Sequence, residues 1–163
     1  MSKSKITHLS GRYVIKPAGF YFGDDEDEIY TLLGSCVSVT MWHPTRKIAG
    51  MCHVILPVRG SEESSLRFAG CAVKKFLEKV KHFNTSPNEY EVGVYGGGNM
   101  FPAISKNYEK LIGVKNFKEI ERLLVAAGFI IKFKDVGGEV ARKLTLNRLT
   151  GLIVVEHVVM QLD

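Results

Sequence analysis

A chain of 163 residues with 45% apolar content can bury one sizeable core and is too short for two independent ones, so a single domain over residues 1–163 is expected. It has no apolar run of about 18 residues, as a membrane-spanning helix requires, and Met1 to Ser10 lack the apolar stretch of a secretory signal, so no membrane insertion and a cytoplasmic location are expected. The net charge of +5 comes from scattered lysines and arginines without a nucleic-acid-binding motif, and three cysteines, an odd number, fit a reducing compartment better than a disulfide framework.

In chain order, the acidic run Asp24-Asp25-Glu26-Asp27-Glu28 reads as a solvated loop. Residues 30–42 and 48–56 are rich in β-favouring side chains and flank His43-Pro44-Thr45-Arg46-Lys47, which predicts a hairpin. Residues 61–83 place Ala69, Val73, Phe76, Leu77, Val80 and Phe83 at helical spacing with a lysine-rich opposite face, the pattern of an amphipathic helix on a sheet. Residues 90–95 form a short strand that runs into Gly96-Gly97-Gly98-Asn99, where glycines allow a close backbone approach. Asn116 with Glu119 three residues later suggests an N-cap, and Gly128 a left-handed stop, for a second helix. Strands over 129–136, 140–147 and 152–160, separated by Gly137-Gly138 and Thr150-Gly151, complete an α+β pattern of hairpin-rich sheets with interspersed helices.

The first hairpin brings chemistry together. A two-residue turn at Pro44-Thr45 pairs His43 with Arg46 and, carried along both strands, sets Cys36 opposite His53 on one face. A thiol with an ordinary pKa of about 8.5 is mostly protonated at neutral pH, and an imidazole beside it can take the proton to give a nucleophile. Cys52 points to the other face of its strand, and Cys71 lies on the helix among core positions, so both read as core thiols. A zinc site from Cys36, Cys52 and His53 is not expected, because consecutive strand residues diverge and paired-cysteine spacing is absent. Gly96-Gly97-Gly98 lacks the lysine and hydroxyl ending of a phosphate-binding loop.

Leu33-Gly34-Ser35-Cys36-Val37, then His53-Val54-Ile55-Leu56-Pro57, then Gly97-Gly98-Asn99-Met100-Phe101 resemble, in order and spacing, the CheD family of chemoreceptor glutamine deamidases. The similarity continues through Asp135-Val136-Gly137-Gly138 and Arg142-Lys143 to Thr150-Gly151. The resemblance implies a layered α/β/β/α sandwich of the kind found in cysteine-dependent deamidases. It also implies an enzyme, acting without a cofactor, that converts glutamine side chains on the cytoplasmic helices of chemotaxis receptors to glutamate with release of ammonia through a thioester. Cys36 matches the family's nucleophile and His53 its base, and in some systems the resemblance implies a complex with a CheC-type phosphatase. The family also uses a threonine shortly before the cysteine. Here that position falls on Tyr30 by counting back from Cys36, with Thr31 one residue later, so Thr31 is taken as the third catalytic residue and Tyr30 stays open as the alternative. Two other readings stand beside the hydrolase: a catalytically silent adaptor that binds receptors or a phosphatase, and a transamidase whose thioester is resolved by an amine.

Overall fold

Residues 12–55, 65–102 and 112–159 are described by the computed structural model. Two short strands precede the first predicted one: β1 (Tyr13–Val14) and β2 (Phe20–Gly23). The sequence reading missed them because a two-residue and a four-residue strand are too short to show a period. Residues 30–42, predicted as one strand, are two: β3 (Glu28–Leu33) and β4 (Val37–His43), which lie in different sheets and are joined through Gly34-Ser35-Cys36. Then follow β5 (Ile48–Cys52), α1 (Ala69–His82), β6 (Glu91–Gly96), α2 (Ile112–Ala126), β7 (Ile131–Val136), β8 (Val140–Asn147) and β9 (Ile153–Val159). The first four residues of the predicted first helix, 61–64, lie outside the described residues, as do Leu56, Met160 and the chain ends.

One sheet has the order β1-β3-β8-β9 and the other β2-β5-β4-β6-β7. Each is mixed, since β1 runs parallel to β3 and β6 parallel to β7 while the other pairs are antiparallel. The α+β class and the paired hairpin-rich sheets therefore hold. Both α1 and α2 pack on the five-stranded sheet, so among the described residues the layers run helix, sheet, sheet. The helix-facing core gathers Val37, Val39 and Met41 of β4 with Phe76 of α1 and Ile120 of α2. Phe76 sits at its centre against Phe20, with ring centroids 4.7 Å apart, and its truncation to alanine would cost about 3–5 kcal/mol. The core between the sheets joins Ile29, Leu33, Leu144 and Leu146 to Ala49, Met51 and Tyr95.

Two local expectations are corrected. Asn116 is not an N-cap: it is buried inside α2, and its Nδ2 donates to the carbonyls of Ile55 (3.0 Å) and Val54 (3.4 Å), tying the helix to the segment that follows β5. A tertiary partner has taken the amide that local pattern assigned to capping. Gly128 does end the helix, at φ +94°, with the Phe129 N–H donating to Leu124 O at 3.0 Å. The β4–β5 loop is the second correction. His43 pairs with Ile48 rather than Arg46, and Lys47 turns the chain at φ +55°. A two-residue turn without glycine fits strand twist poorly, and the four-residue loop relieves it. Of the acidic run, Asp24 to Asp27 form the turn between β2 and β3 while Glu28 opens β3, and the turn is tied down: Tyr21 Oη donates to Asp25 (2.7 Å) and Arg148 pairs with Asp27 (3.3 Å).

Candidate active site

Strand parity decides what reaches the space between the sheets. In β3, Ile29, Thr31 and Leu33 are buried while Tyr30 and Leu32 turn outward, and Tyr30 carries the Arg12 guanidinium 4.5 Å above its ring. Thr31, not Tyr30, is therefore the residue on the inner face. In β4 and β5 the observed register pairs Thr40 with Met51 and, past the strand end, Val37 with Val54. Cys36 is thus not directly opposite His53, as the sequence reading had it. A slip of two residues nevertheless preserves parity, so both stay on the face toward the second sheet, with Ser38 at the register position across from His53.

His53 is 4% exposed. Its Nδ1 lies 2.7 Å from Thr31 Oγ1, and that hydroxyl is 2.7 Å from the carbonyl of Ile15. The carbonyl can only accept, so the single hydroxyl proton of Thr31 goes to Ile15, and Thr31 accepts from His53. Nδ1 must then carry the imidazole proton, which leaves Nε2 as the basic nitrogen. Burial lowers the His53 pKa to about 4 and raises that of the Cys36 thiol above its ordinary value. At neutral pH the resting pair is a thiol and a neutral imidazole.

The Cys36 turn is held from outside by the glycine loop after β6. Gly97 N–H donates to Cys36 O (2.8 Å) and Gly98 N–H to Gly34 O (2.9 Å). Gly96 and Gly97 have φ of +108° and +68°, and a Cβ on Gly96 would collide with the Cys36 carbonyl, so this close approach requires glycine. The amides of Ser35 and Cys36 have no hydrogen-bond acceptor among the described residues. A groove of about 220 Å³ opens beside the turn, lined by Ser35, Gly98, Asn99, Met100, Phe101 and Gly113 among others.

The other two thiols lie elsewhere. Cys52 faces the helices in the apolar core, where burial pushes its pKa up to about 12. Cys71 lies on α1 beside Lys74 and Lys75, half-buried and outside both apolar clusters, so it is not the core thiol that its flanking apolar positions suggested. Among the described residues no cluster of histidine, cysteine and carboxylates could hold a metal ion, and no helix is long and apolar enough to cross a membrane. Three residues of the site region had been given no role from sequence. Ser38 is fully buried, and its hydroxyl has no partner among the described residues; period-two spacing from Cys36 could have found it. Arg142 and Asp135 form a 3.0 Å ion pair behind the glycine loop; an arginine at an inward position of β8, in phase with Leu144 and Leu146, was the available signal.

The family described as CheD chemotactic sensory transduction matches residues 55–157. A protein of Dechloromonas aromatica (strain RCB), named "Probable chemoreceptor glutamine deamidase CheD 3", is 36% identical over 140 residues, which cover 84% of this chain and 82% of that one. A protein of Leptospira interrogans serogroup Icterohaemorrhagiae serovar copenhageni (strain Fiocruz L1-130), named "Probable chemoreceptor glutamine deamidase CheD 1", is 34% identical over 153 residues, 88% of this chain and 90% of that one. Spans of that length necessarily cross Thr31, Cys36 and His53. The solved structure of the Bacillus licheniformis hypothetical protein YfiH overlaps 71% of this chain and 49% of its own at 14% identity, with a TM-score of 0.46, too weak a likeness to bear on function.

Proposed function

We propose, from the premise that the chain belongs to the CheD family, that it is a cysteine-dependent protein-glutamine deamidase acting on the cytoplasmic helices of chemotaxis receptors, with Cys36 as nucleophile, His53 as base and Thr31 as the residue that orients His53. The observation that carries the reading is the Ile15–Thr31–His53 chain of hydrogen bonds, which leaves Nε2 of an imidazole on the Cys36 face ready to accept a proton.

In this mechanism Nε2 takes the thiol proton as sulfur attacks the glutamine carboxamide carbon, so no thiolate has to exist at rest. The amides of Ser35 and Cys36 are the proposed donors to the tetrahedral oxyanion, each worth about 10²- to 10³-fold in comparable sites. The C–N bond then breaks as the Nε2 proton passes to the departing nitrogen, giving ammonia and a thioester. Nε2 next deprotonates water, the C–O bond forms, and cleavage of the C–S bond returns the proton to Cys36 and leaves glutamate. The apolar groove beside Ser35 would take the aliphatic part of the substrate. Cytoplasmic location and, where one is present, a regulatory CheC-type phosphatase partner belong to the same proposal.

The test incubates the chain with receptor cytoplasmic fragments and follows glutamine-to-glutamate conversion by mass spectrometry, with and without a primary amine. Conversion that is lost in Cys36→Ser is expected. No conversion of any receptor from its own organism would favour the silent adaptor, and a predominant amine-linked product would make it a transamidase.

A further inference from the structure

Behind the glycine loop, on the side away from Cys36, lies a buried charge network that the mechanism above does not use. Arg142 of β8 is 2% exposed. Its Nε donates to Asp135 Oδ1 at 3.0 Å, its Nη2 to Gly137 O at 2.8 Å, and its Nη1 to Gly96 O at 3.4 Å and Val140 O at 3.5 Å. One planar fork from the four-stranded sheet therefore reaches the end of β6 and the edge strand β7 of the other sheet. Burial alone would raise the Asp135 pKa, but the bonds from His157 and Arg142 hold the carboxyl below its ordinary value, so it stays ionised as the counter-ion.

Burying such a pair is not a cheap route to stability, because desolvation offsets most of the attraction and an apolar replacement of equal volume is often as stable. What the network does supply is position. Gly96 O accepts from Gly137 N–H (2.9 Å) as well as from Arg142, and Asn99 N–H donates to Gly138 O (2.8 Å). The opposite edge of the same loop holds the Cys36 and Gly34 carbonyls through the N–H groups of Gly97 and Gly98. The loop is clamped between the Gly137-Gly138 turn and the Cys36 turn, and Arg142 binds one carbonyl at the start of the loop, Gly96 O, and one in the turn behind it, Gly137 O.

We propose that Arg142, with Asp135 as its counter-ion, is a positioning residue for Cys36: it fixes the glycine loop whose amides set the orientation of the Cys36 turn. The inference rests on Cys36 being the nucleophile. If the guanidinium is lost, the Gly96 and Gly137 carbonyls lose a donor, the loop relaxes, and the thiol and the Ser35 and Cys36 amides move together relative to His53.

The test uses the full chain as Arg142→Lys and Asp135→Asn. For each, the melting temperature, kcat and KM on a receptor fragment, and the iodoacetamide alkylation rate of Cys36 relative to Cys71 are measured well below the melting temperature. A lysine keeps the charge but not the fork, so kcat is expected to fall about 10- to 100-fold with KM little changed, the size of effect that a small misplacement of reacting groups produces. The Cys36 to Cys71 alkylation ratio is expected to shift with it, and Asp135→Asn should lose less. A lowered melting temperature with wild-type kcat and alkylation ratio would overturn the proposal and leave a purely structural network. Should Arg142→Lys fail to fold, the near-isosteric Asp135→Asn decides by the same readouts. Failure of the wild type to deamidate any receptor would sink the functional reading instead, and the alkylation ratio would still decide the role of Arg142.

Discussion

The five-stranded sheet carries a thiol toward each of its neighbours. Cys52 looks toward the helices and is sealed among Val39, Val54 and Phe76, with its pKa pushed up to about 12. Cys36 looks toward the second sheet, half-buried at a chain crossover, in company with Ser38, Thr40 and His53. Cys52 ends β5 and Cys36 immediately precedes its antiparallel neighbour β4, and what separates them is parity: odd positions of β4 and even positions of β5 feed the helical core, and the others feed the inter-sheet space. A sheet with both faces covered can thus keep one face for packing and let the other, at its open end, hold polar groups.

Substitution at the two thiols should break the comparison most sharply. Cys36→Ser is expected to take turnover to the floor of the receptor assay without lowering the melting temperature much, since a hydroxyl of similar size has far too high a pKa to serve as the nucleophile. Cys52→Ser should do the reverse, keeping turnover while lowering unfolding free energy by about 1–3 kcal/mol, the cost of burying a hydroxyl in place of a thiol in an apolar core. Chemical denaturation and kinetics on the same pair of variants check both. Wild-type turnover in Cys36→Ser would remove Cys36 from the chemistry.

The next largest effect is expected at Thr31. Thr31→Val keeps the volume but removes the oxygen that accepts from Nδ1, so the imidazole can adopt the wrong tautomer, and kcat should fall by up to about 10²-fold, the lower end of what a general base contributes. Thr31→Ser retains the oxygen and should restore most of the rate. Equal rates in the two variants would leave Thr31 as packing.

A smaller effect, on stability, sharpens the contrast between the faces. The folded chain resists protonating His53 until about pH 4, whereas the unfolded chain takes up that proton below about 6.5. Between those values the unfolded state binds more protons, so the His53 contribution to stability falls as pH falls from 6.5 to 4. His53→Gln should flatten that part of the profile relative to wild type in urea titrations. Parallel wild-type and variant curves would mean that His53 protonates freely in the fold.

Salt should have the smallest effect. If the proposed substrate is an acidic receptor helix, a chain of charge +5 should lose rate severalfold as salt rises, because the Debye length shortens from about 10 Å at 0.1 M to about 3 Å at 1 M. Free glutamine, without a helix to grip, should remain a poor substrate. A rate on the receptor fragment that ignores salt would remove electrostatic attraction from recognition.

Much of this site is legible in the chain itself. Alternation along residues 36–42 and 48–54 places Cys36 and His53 on one face and Cys52 on the other, and that assignment survives a wrong turn because a two-residue slip leaves a period of two unchanged. Gly128 marks a helix end, and Gly96 to Gly98 mark a close approach, because both are local backbone demands that only glycine meets cheaply.

Tertiary structure alone decided the rest. That residues 30–42 split between two sheets depends on β3 finding β8 more than a hundred residues later in the chain, a pairing no local window contains. The same split turns Thr31 inward and Tyr30 outward, because the crossover at Gly34 to Cys36 breaks the parity that one continuous strand would have imposed. Asn116 leaves its capping role for the carbonyls of Val54 and Ile55, and Arg142 finds Asp135, Gly96 and Gly137, for the same reason. A polar side chain with several possible partners takes the ones that burial brings to it, and burial is a property of the whole fold.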